Sequence, residues 1–354
     1  MQLGIIGLPS SGKTTVFNAL TGSSIPTGTM MGGRVDVHTA VVGVPDSRVD
    51  ELADFYKPKK ITHAQVTYAD IGGLKTDIGR EGLPGQLVNQ LEQMDGLIHV
   101  LRAFLDDGVP HPQGSVNPAR DAEAMSAEFL LHDMVTVAKH LEKLHEEHQR
   151  NARDRGVVER EIQLFERLEE ALNSNLPLRK MELTAEEDKQ LAGYGLLSRK
   201  PLMHVLNLGE SQPPPDILAD GDAPLAMQGV LEMEIAQLGE AEAREFLAEY
   251  QILEPARMRV IRSSYGLLGL HSFFTVGEDE VRAWTIRRGA SALEAANAIH
   301  SDLARGFIRA EVIGYSDLLS LGGIPKARQL GKLRVEGKSY IVEDGDIVHI
   351  RFNI

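Results

Sequence analysis

Gly7-Leu8-Pro9-Ser10-Ser11-Gly12-Lys13-Thr14 satisfies G-x-x-x-x-G-K-[ST] at every fixed position. Leu3 to Ile6 before it reads as a short apolar strand, and Thr15-Val16-Phe17-Asn18-Ala19-Leu20 after it as the first turns of a helix. Strand, glycine loop and helix N-terminus together make a phosphate cradle. Gly7 and Gly12 allow backbone angles and a close approach that a Cβ would forbid. The N–H groups of Gly7, Ser10, Ser11, Gly12, Lys13, Thr14 and Thr15 then face phosphate oxygens as an anion nest. In such a loop Lys13 reaches the β- and γ-phosphates and the Thr14 hydroxyl holds Mg²⁺.

Working outward, residues 23–40 are rich in Gly, Thr and Met, where an NTPase of this type keeps its first switch. Val41 to Val44 reads as a strand, Pro45-Asp46-Ser47 as the start of a helix, and Gln65 to Ala69 as a strand ending at Asp70. Asp70-Ile71-Gly72-Gly73 is D-x-x-G at that strand's carboxyl end. Alone the pattern is common; one strand after a complete phosphate loop it gains weight. Asp70 then holds Mg²⁺, usually through water, and the Gly73 N–H senses the γ-phosphate. Leu74 stands where many GTPases carry a water-orienting Gln.

The 354 residues are enough for two or three domains, and 42% hydrophobic with 25% charged residues is ordinary for a globular protein. There is no cysteine, which removes disulfides, thiolate metal sites and cysteine nucleophiles and fits a reducing cytosol. Met1-Gln2-Leu3-Gly4-Ile5 lacks a basic leader, and no apolar run reaches membrane-span length, so a cytoplasmic protein is expected. The net charge of −14 argues against a broadly basic nucleic-acid binder. From His271 onward 11 Lys and Arg balance 11 Asp and Glu, so the acidic surplus lies in the first 270 residues.

Gln86 to Met94 reads as a helix and Gly96 to Leu101 as a buried strand. Asn117-Pro118 opens a long charged helix to about Arg150, Val157 to Asn173 a second, and Thr184-Ala185-Glu186-Glu187 is a capping box for a third. An antiparallel helical arm with a narrow apolar seam accounts for residues 118–200. Strand character returns at Pro201 to Leu206 and Leu225 to Met227, and Glu232 to Glu249 reads as one amphipathic helix. The expected fold is therefore α/β: a P-loop NTPase domain over 1–265, doubly wound on a mainly parallel sheet, with the arm inserted. Residues 271–354 change character. A hairpin at Phe273–Val276 and Val281–Ile286, a capping box at Ser291-Ala292-Leu293-Glu294, and short strands at Ala310–Ile313, Lys332–Val335, Ser339–Val342 and Asp346–Phe352 read as a β-grasp-like domain.

These motifs resemble the YchF/Obg-like ATPases, a branch of the Obg group of P-loop NTPases, over essentially the whole length. The resemblance is carried by the phosphate loop, the D-I-x-G-L after the second strand, Asn207-Leu208-Gly209-Glu210, and the blocks Val281–Ile286, Ile299–Asp302, Gly306–Val312 and Glu336–Tyr340, which look like the family's ubiquitin-like TGS domain. It implies Mg²⁺-dependent hydrolysis of ATP in preference to GTP. The residues agree: the guanine-reading N-K-x-D has become Asn207-Leu208-Gly209-Glu210, and Glu210 cannot take the bidentate position of Asp without backbone movement. By the resemblance Asn207 and the backbone near Leu208 contact adenine, and a His before the V-N-P segment, here His111, is tied to catalysis. Three positions depart from the family: Ser10 replaces Asn, Arg34 falls where the first switch carries Thr, and Gln228-Gly229 replaces a small pair beside the base.

Three functions compete. One is a slow ATPase that switches conformation in translation, with the ribosome or its RNA as partner. Another is a binding module that nucleotide stabilises, with vestigial hydrolysis. The third is a true GTPase. A monomer or weak dimer is expected. Arg287, Arg288, Arg305, Arg309, Lys326, Arg328, Lys332 and Arg334 give the C-terminal block local basic character, but ribosome association rests on the resemblance.

Overall fold

The structure is a computed structural model describing residues 1–27, 37–72, 82–150, 153–250 and 252–353. In chain order the strands are β1 (Gln2–Ile6), β2 (Val37–Gly43), β3 (Lys60–Thr62), β4 (Gln65–Ile71), β5 (Gly96–Arg102), β6 (Leu202–Asn207), β7 (Leu225–Met227), β8 (Leu270–Thr275), β9 (Glu280–Arg287), β10 (Phe307–Gly314), β11 (Arg334–Glu336) and β12 (Asp346–Phe352). The helices are α1 (Lys13–Thr21), α2 (Ser47–Tyr56), α3 (Gly85–Glu92), α4 (Pro118–Arg150), α5 (Arg155–Asn173), α6 (Ala185–Leu191), α7 (Gly229–Gln237), α8 (Glu240–Glu249), α9 (Ala256–Leu267), α10 (Ala292–Ile299), α11 (Ser301–Arg305), α12 (Tyr315–Leu321) and α13 (Ile324–Gln329). Among the described residues no helix is long and apolar enough to cross a membrane.

The first sheet has the order β2-β4-β1-β5-β6-β7. β1 is parallel to both β4 and β5, with Leu3 opposite Tyr68 and Gly96, and β5, β6 and β7 continue parallel. Every residue of β5 is buried, which is why its sequence runs apolar without alternation. β1 lies between strands to which the chain goes in opposite directions, so the crevice at their carboxyl ends is the place for a ligand. On one face Ile6, Ala69, Ile71, Leu97, Met125 and Phe129 belong to one apolar cluster.

The expected arm is present. α4 and α5 pack as a hairpin around Val137, Leu141, Leu144, Leu164, Phe165 and Leu168. Asp154 caps α5 by accepting from Val157 N at 3.0 Å. Thr184 and Glu187 form the capping box of α6. The helix expected over Glu232–Glu249 is broken in two at Leu238-Gly239, where Gly239 N–H donates to Glu242 Oε2 at 3.3 Å and opens α8. The strand expected over Ser339–Val342 reduces to a bridge between Ser291 and Ile341.

Packing divides the chain into two units, but not at a single cut near residue 265: Met1–Ala40 goes with Thr67–Val260, and Val41–Val66 with Ile261–Ile354. The reason is local bonding within the second unit. β3 adds to β9 in parallel, Ile61 opposite Val281, and closes a sheet of order β11-β10-β12-β8-β9-β3. Asp46 caps α2 and grips Arg48, whose guanidinium also donates to both Asp344 oxygens at 3.0 and 3.1 Å. α10, opened by the Ser291–Glu294 capping box, packs Ala292, Ala295 and Ala296 against Phe273, Ala310 and Val348.

Candidate nucleotide site

β1 ends at Ile6 and the chain turns through Gly7 (φ 153°), Ser10 (φ 61°) and Gly12 (φ 86°) into α1. A Cβ on Gly7 would sit 2.5 Å from Val100 O and 2.8 Å from Ser11 Oγ, and one on Gly12 would strike the Asn207 amide. Glycine is therefore a steric requirement at both positions. The first helical bond runs from Val16 N to Gly12 O at 2.9 Å, so the N–H groups of Lys13, Thr14 and Thr15 open the helix without an intrahelical partner, while the Ser11 N–H turns back to Leu8 O at 3.2 Å. Thr15 lies partly buried in this first turn.

Lys13 Nζ donates to Leu8 O at 3.0 Å across the loop. Burial pushes its ammonium down to about 8, against the pull of Asp70. Thr14 Oγ1 donates to Asp70 Oδ2 at 2.7 Å, so the two residues expected to hold Mg²⁺ already touch. Asp70 is 5% exposed, and among the described residues its Oδ1 has no hydrogen-bond partner, nor has the buried Ser11 Oγ. A buried carboxylate oxygen left open beside a hydroxyl suits a hard cation that takes oxygen ligands. Gly73, Leu74 and Arg34 lie outside the described residues.

At the end of β6, Asn207 spends both ends of its amide on backbone. Nδ2 donates to Ser11 O at 3.0 Å, and Oδ1 accepts from Gly229 N at 3.1 Å. Asn207 thus braces the phosphate loop against the start of α7. A Cβ on Gly229 would fall 2.5 Å from Asn207 Oδ1. Glycine at 229 therefore lets the start of α7 approach the Asn207 amide. Leu208 N–H donates to Met227 O at 2.9 Å, and its side chain is buried with Leu101, Ala103 and Leu206. Glu210 is exposed.

Sequence reasoning missed three residues here. Gln212 Oε1 accepts from Gly209 N at 3.1 Å and its Nε2 donates to Ala103 O at 2.6 Å. Phe104 lies close to the positions that Cβ atoms on Gly12 and Gly209 would take, at 3.9 and 3.4 Å. Arg102 stacks on the Phe104 ring at 4.4 Å. The available signal was an Arg-Ala-Phe at the carboxyl end of a buried parallel strand, where ligand-facing residues gather.

The structure holds His111 against the protein. Its side chain is 3% exposed, with Nε2 3.0 Å from Asp121 Oδ2. Nδ1 accepts from Gln113 N at 3.1 Å, so the ring proton belongs on Nε2, facing Asp121. Arg120 donates to the other Asp121 oxygen at 3.0 and 2.8 Å. Burial lowers the imidazole's affinity for a proton, with Asp121 opposing. A neutral ring fits a base; Nδ1 is taken by the Gln113 N–H, and Nε2 is turned toward Asp121. In the C-terminal block, Arg305 pairs with Asp302, Arg328 with Glu311 at 3.0 Å, and Arg334 with Asp346 at 3.3 Å, so three of its expected cations are locally neutralised.

Comparison with known proteins gives concordant relatives. Residues 2–140 match a family described as a 50S ribosome-binding GTPase, and residues 270–353 match a YchF-GTPase C-terminal family described as a protein of unknown function. The chain is 38% identical to a protein named ribosome-binding ATPase YchF from Bacillus subtilis, with 100% of both chains covered. It is 36% identical to the protein of that name from Escherichia coli O157:H7, covering 100% of this chain and 99% of the other. A solved structure titled as the Schizosaccharomyces pombe YchF GTPase superposes with a TM-score of 0.86 at 32% identity, covering 99% of this chain and 97% of that one.

Proposed function

The chain belongs to the YchF family of P-loop NTPases, and on that premise we propose that it is a cytoplasmic, Mg²⁺-dependent ATPase that prefers ATP to GTP and turns over slowly as a ribosome-associated switch. The observation that carries the reading is the 2.7 Å contact of Thr14 with Asp70, whose second oxygen is open. The phosphate-loop N–H groups and the α1 N-terminus draw in the triphosphate. Lys13 moves its ammonium from Leu8 O to the β- and γ-oxygens. Thr14 and Asp70 would hold Mg²⁺, which would supply electrostatic stabilisation of the charge on the phosphate oxygens. Asn207 keeps the loop in register from the base side, and Leu208 and Glu210 supply no guanine-reading pair. The relatives' names supply the ribosome as the proposed partner.

The arrangement of His111 favours a second reading, in which nucleotide stabilises a binding-competent form and hydrolysis is vestigial. Phosphate release separates the two. The ATPase reading predicts release from ATP at about 10⁻⁴ s⁻¹ or below without partner, abolished by chelating Mg²⁺ and in Thr14→Ala, and faster with ribosomes. ATP that stays intact for days, with ribosomes present, selects the second reading.

A further inference from the structure

β5 leaves the sheet at Arg102, on the edge from which the phosphate loop also emerges. The residue is 2% exposed. Among the described residues its guanidinium bonds no carboxylate. Nε donates to Phe104 O at 3.2 Å, and Nη2 to Val109 O at 2.8 Å and Asp106 O at 3.4 Å. Nη1 reaches Ser10 O at 3.5 Å. The carboxylate of Asp106 is exposed and accepts from Gly108 N at 2.9 Å. Burial lowers Arg102's affinity for its proton, with Asp106 opposing.

A buried cation held by carbonyl dipoles and one aromatic face, with no paired carboxylate among the described residues, is expensive to fold around, and an apolar side chain would close a strand end at less cost. Its partners give the reason. They are the phosphate-loop carbonyl of Ser10 and three carbonyls, of Phe104, Asp106 and Val109, in the segment that leads to His111. Only a planar fork with five donors can serve so many acceptors at once; a lysine ammonium cannot. Asp106 acts on the charge only from a distance, with no direct pairing among the described residues, at a strand end where a triphosphate would dock. We propose that Arg102 is a positioning residue of the nucleotide site: its guanidinium fastens residues 104–109 to the Ser10 carbonyl, fixing Phe104 beside Gly12 and setting the course of the chain into His111. The proposal rests on the ATP-site reading above and adds a residue to it.

The test is Arg102→Lys in the full chain, which keeps the charge and loses the fork. Without nucleotide, amide exchange over residues 104–111 should quicken about tenfold while that of β5 and α1 stays within about twofold. ATP affinity should fall less than about threefold and single-turnover hydrolysis about tenfold, because binding is kept and alignment is lost. Unchanged exchange over 104–111 overturns the proposal. So does an equal quickening across β5 and α1, which would assign Arg102 to core packing. If the wild type binds ATP without hydrolysing it, the ATPase reading fails while the exchange measurement still decides on Arg102. If Arg102→Lys does not fold, Phe104→Leu removes the platform beneath the guanidinium. Exchange over 105–111 should then quicken about threefold, and no change there overturns the proposal.

Discussion

Lys13 carries the most direct consequence at the scale of single residues. In the free protein its ammonium is pushed down to about 8 by burial, and a bound triphosphate restores the charged form. Below about pH 8 free and bound protein both hold the proton, so affinity is flat. Above it the free protein has lost the proton that binding must take back. ATP affinity should therefore fall by up to about tenfold per pH unit from about pH 8 upward. Titrations between about pH 7 and pH 10 check this: Lys13→Ala should bind weakly with no such slope, and a flat wild-type profile contradicts the assignment. The motif residues were legible because a phosphate loop needs glycine where a Cβ collides and a hydroxyl beside a carboxylate. The double brace made by Asn207 was not legible, because its partners are the backbone groups of Ser11 and Gly229, distant in sequence. Arg102 escaped for the same reason: carbonyls leave no side-chain signature.

The arm is where element-scale energetics are simplest. Leu168 is 0% exposed, in the seam between α4 and α5. Leu168→Ala should cost about 2–5 kcal/mol of stability by urea unfolding, through lost burial and the cavity left behind. A loss below about 1 kcal/mol would mean the seam collapses freely and does not hold the hairpin. The seam was readable from apolar positions near 3.5-residue spacing, and the capping boxes at Thr184 and Ser291 from four residues each. The break between α7 and α8 was harder to read, since one glycine inside a helical pattern is tolerated as often as not. β3 was missed because three residues that pair with β9 carry no periodicity of their own. For the same reason the allegiance of α2 and β3 was illegible: Arg48 finds Asp344 at a separation of 296 residues.

At the scale of the whole molecule, one unit carries the phosphate loop, Asp70, Asn207 and the arm, and the other joins residues 41–66 to the C-terminal sheet. The segment 41–66 leaves the first unit at Ala40 and returns to it at Thr67, three residues before Asp70. The fold class was readable end to end, because phosphate loop, D-x-x-G strand, arm and C-terminal hairpin fall in the family's order. Nucleotide choice is less directly written, since the proposed preference for ATP rests on Leu208 and Glu210 offering no guanine-reading pair. Equilibrium competition between ATP and GTP in the presence of Mg²⁺, on wild type and Lys13→Ala, tests the central claim most directly. The account predicts that ATP displaces GTP with an advantage of at least about tenfold and that Lys13→Ala binds neither well. Preference for GTP, or ATP binding indifferent to Lys13, would contradict it.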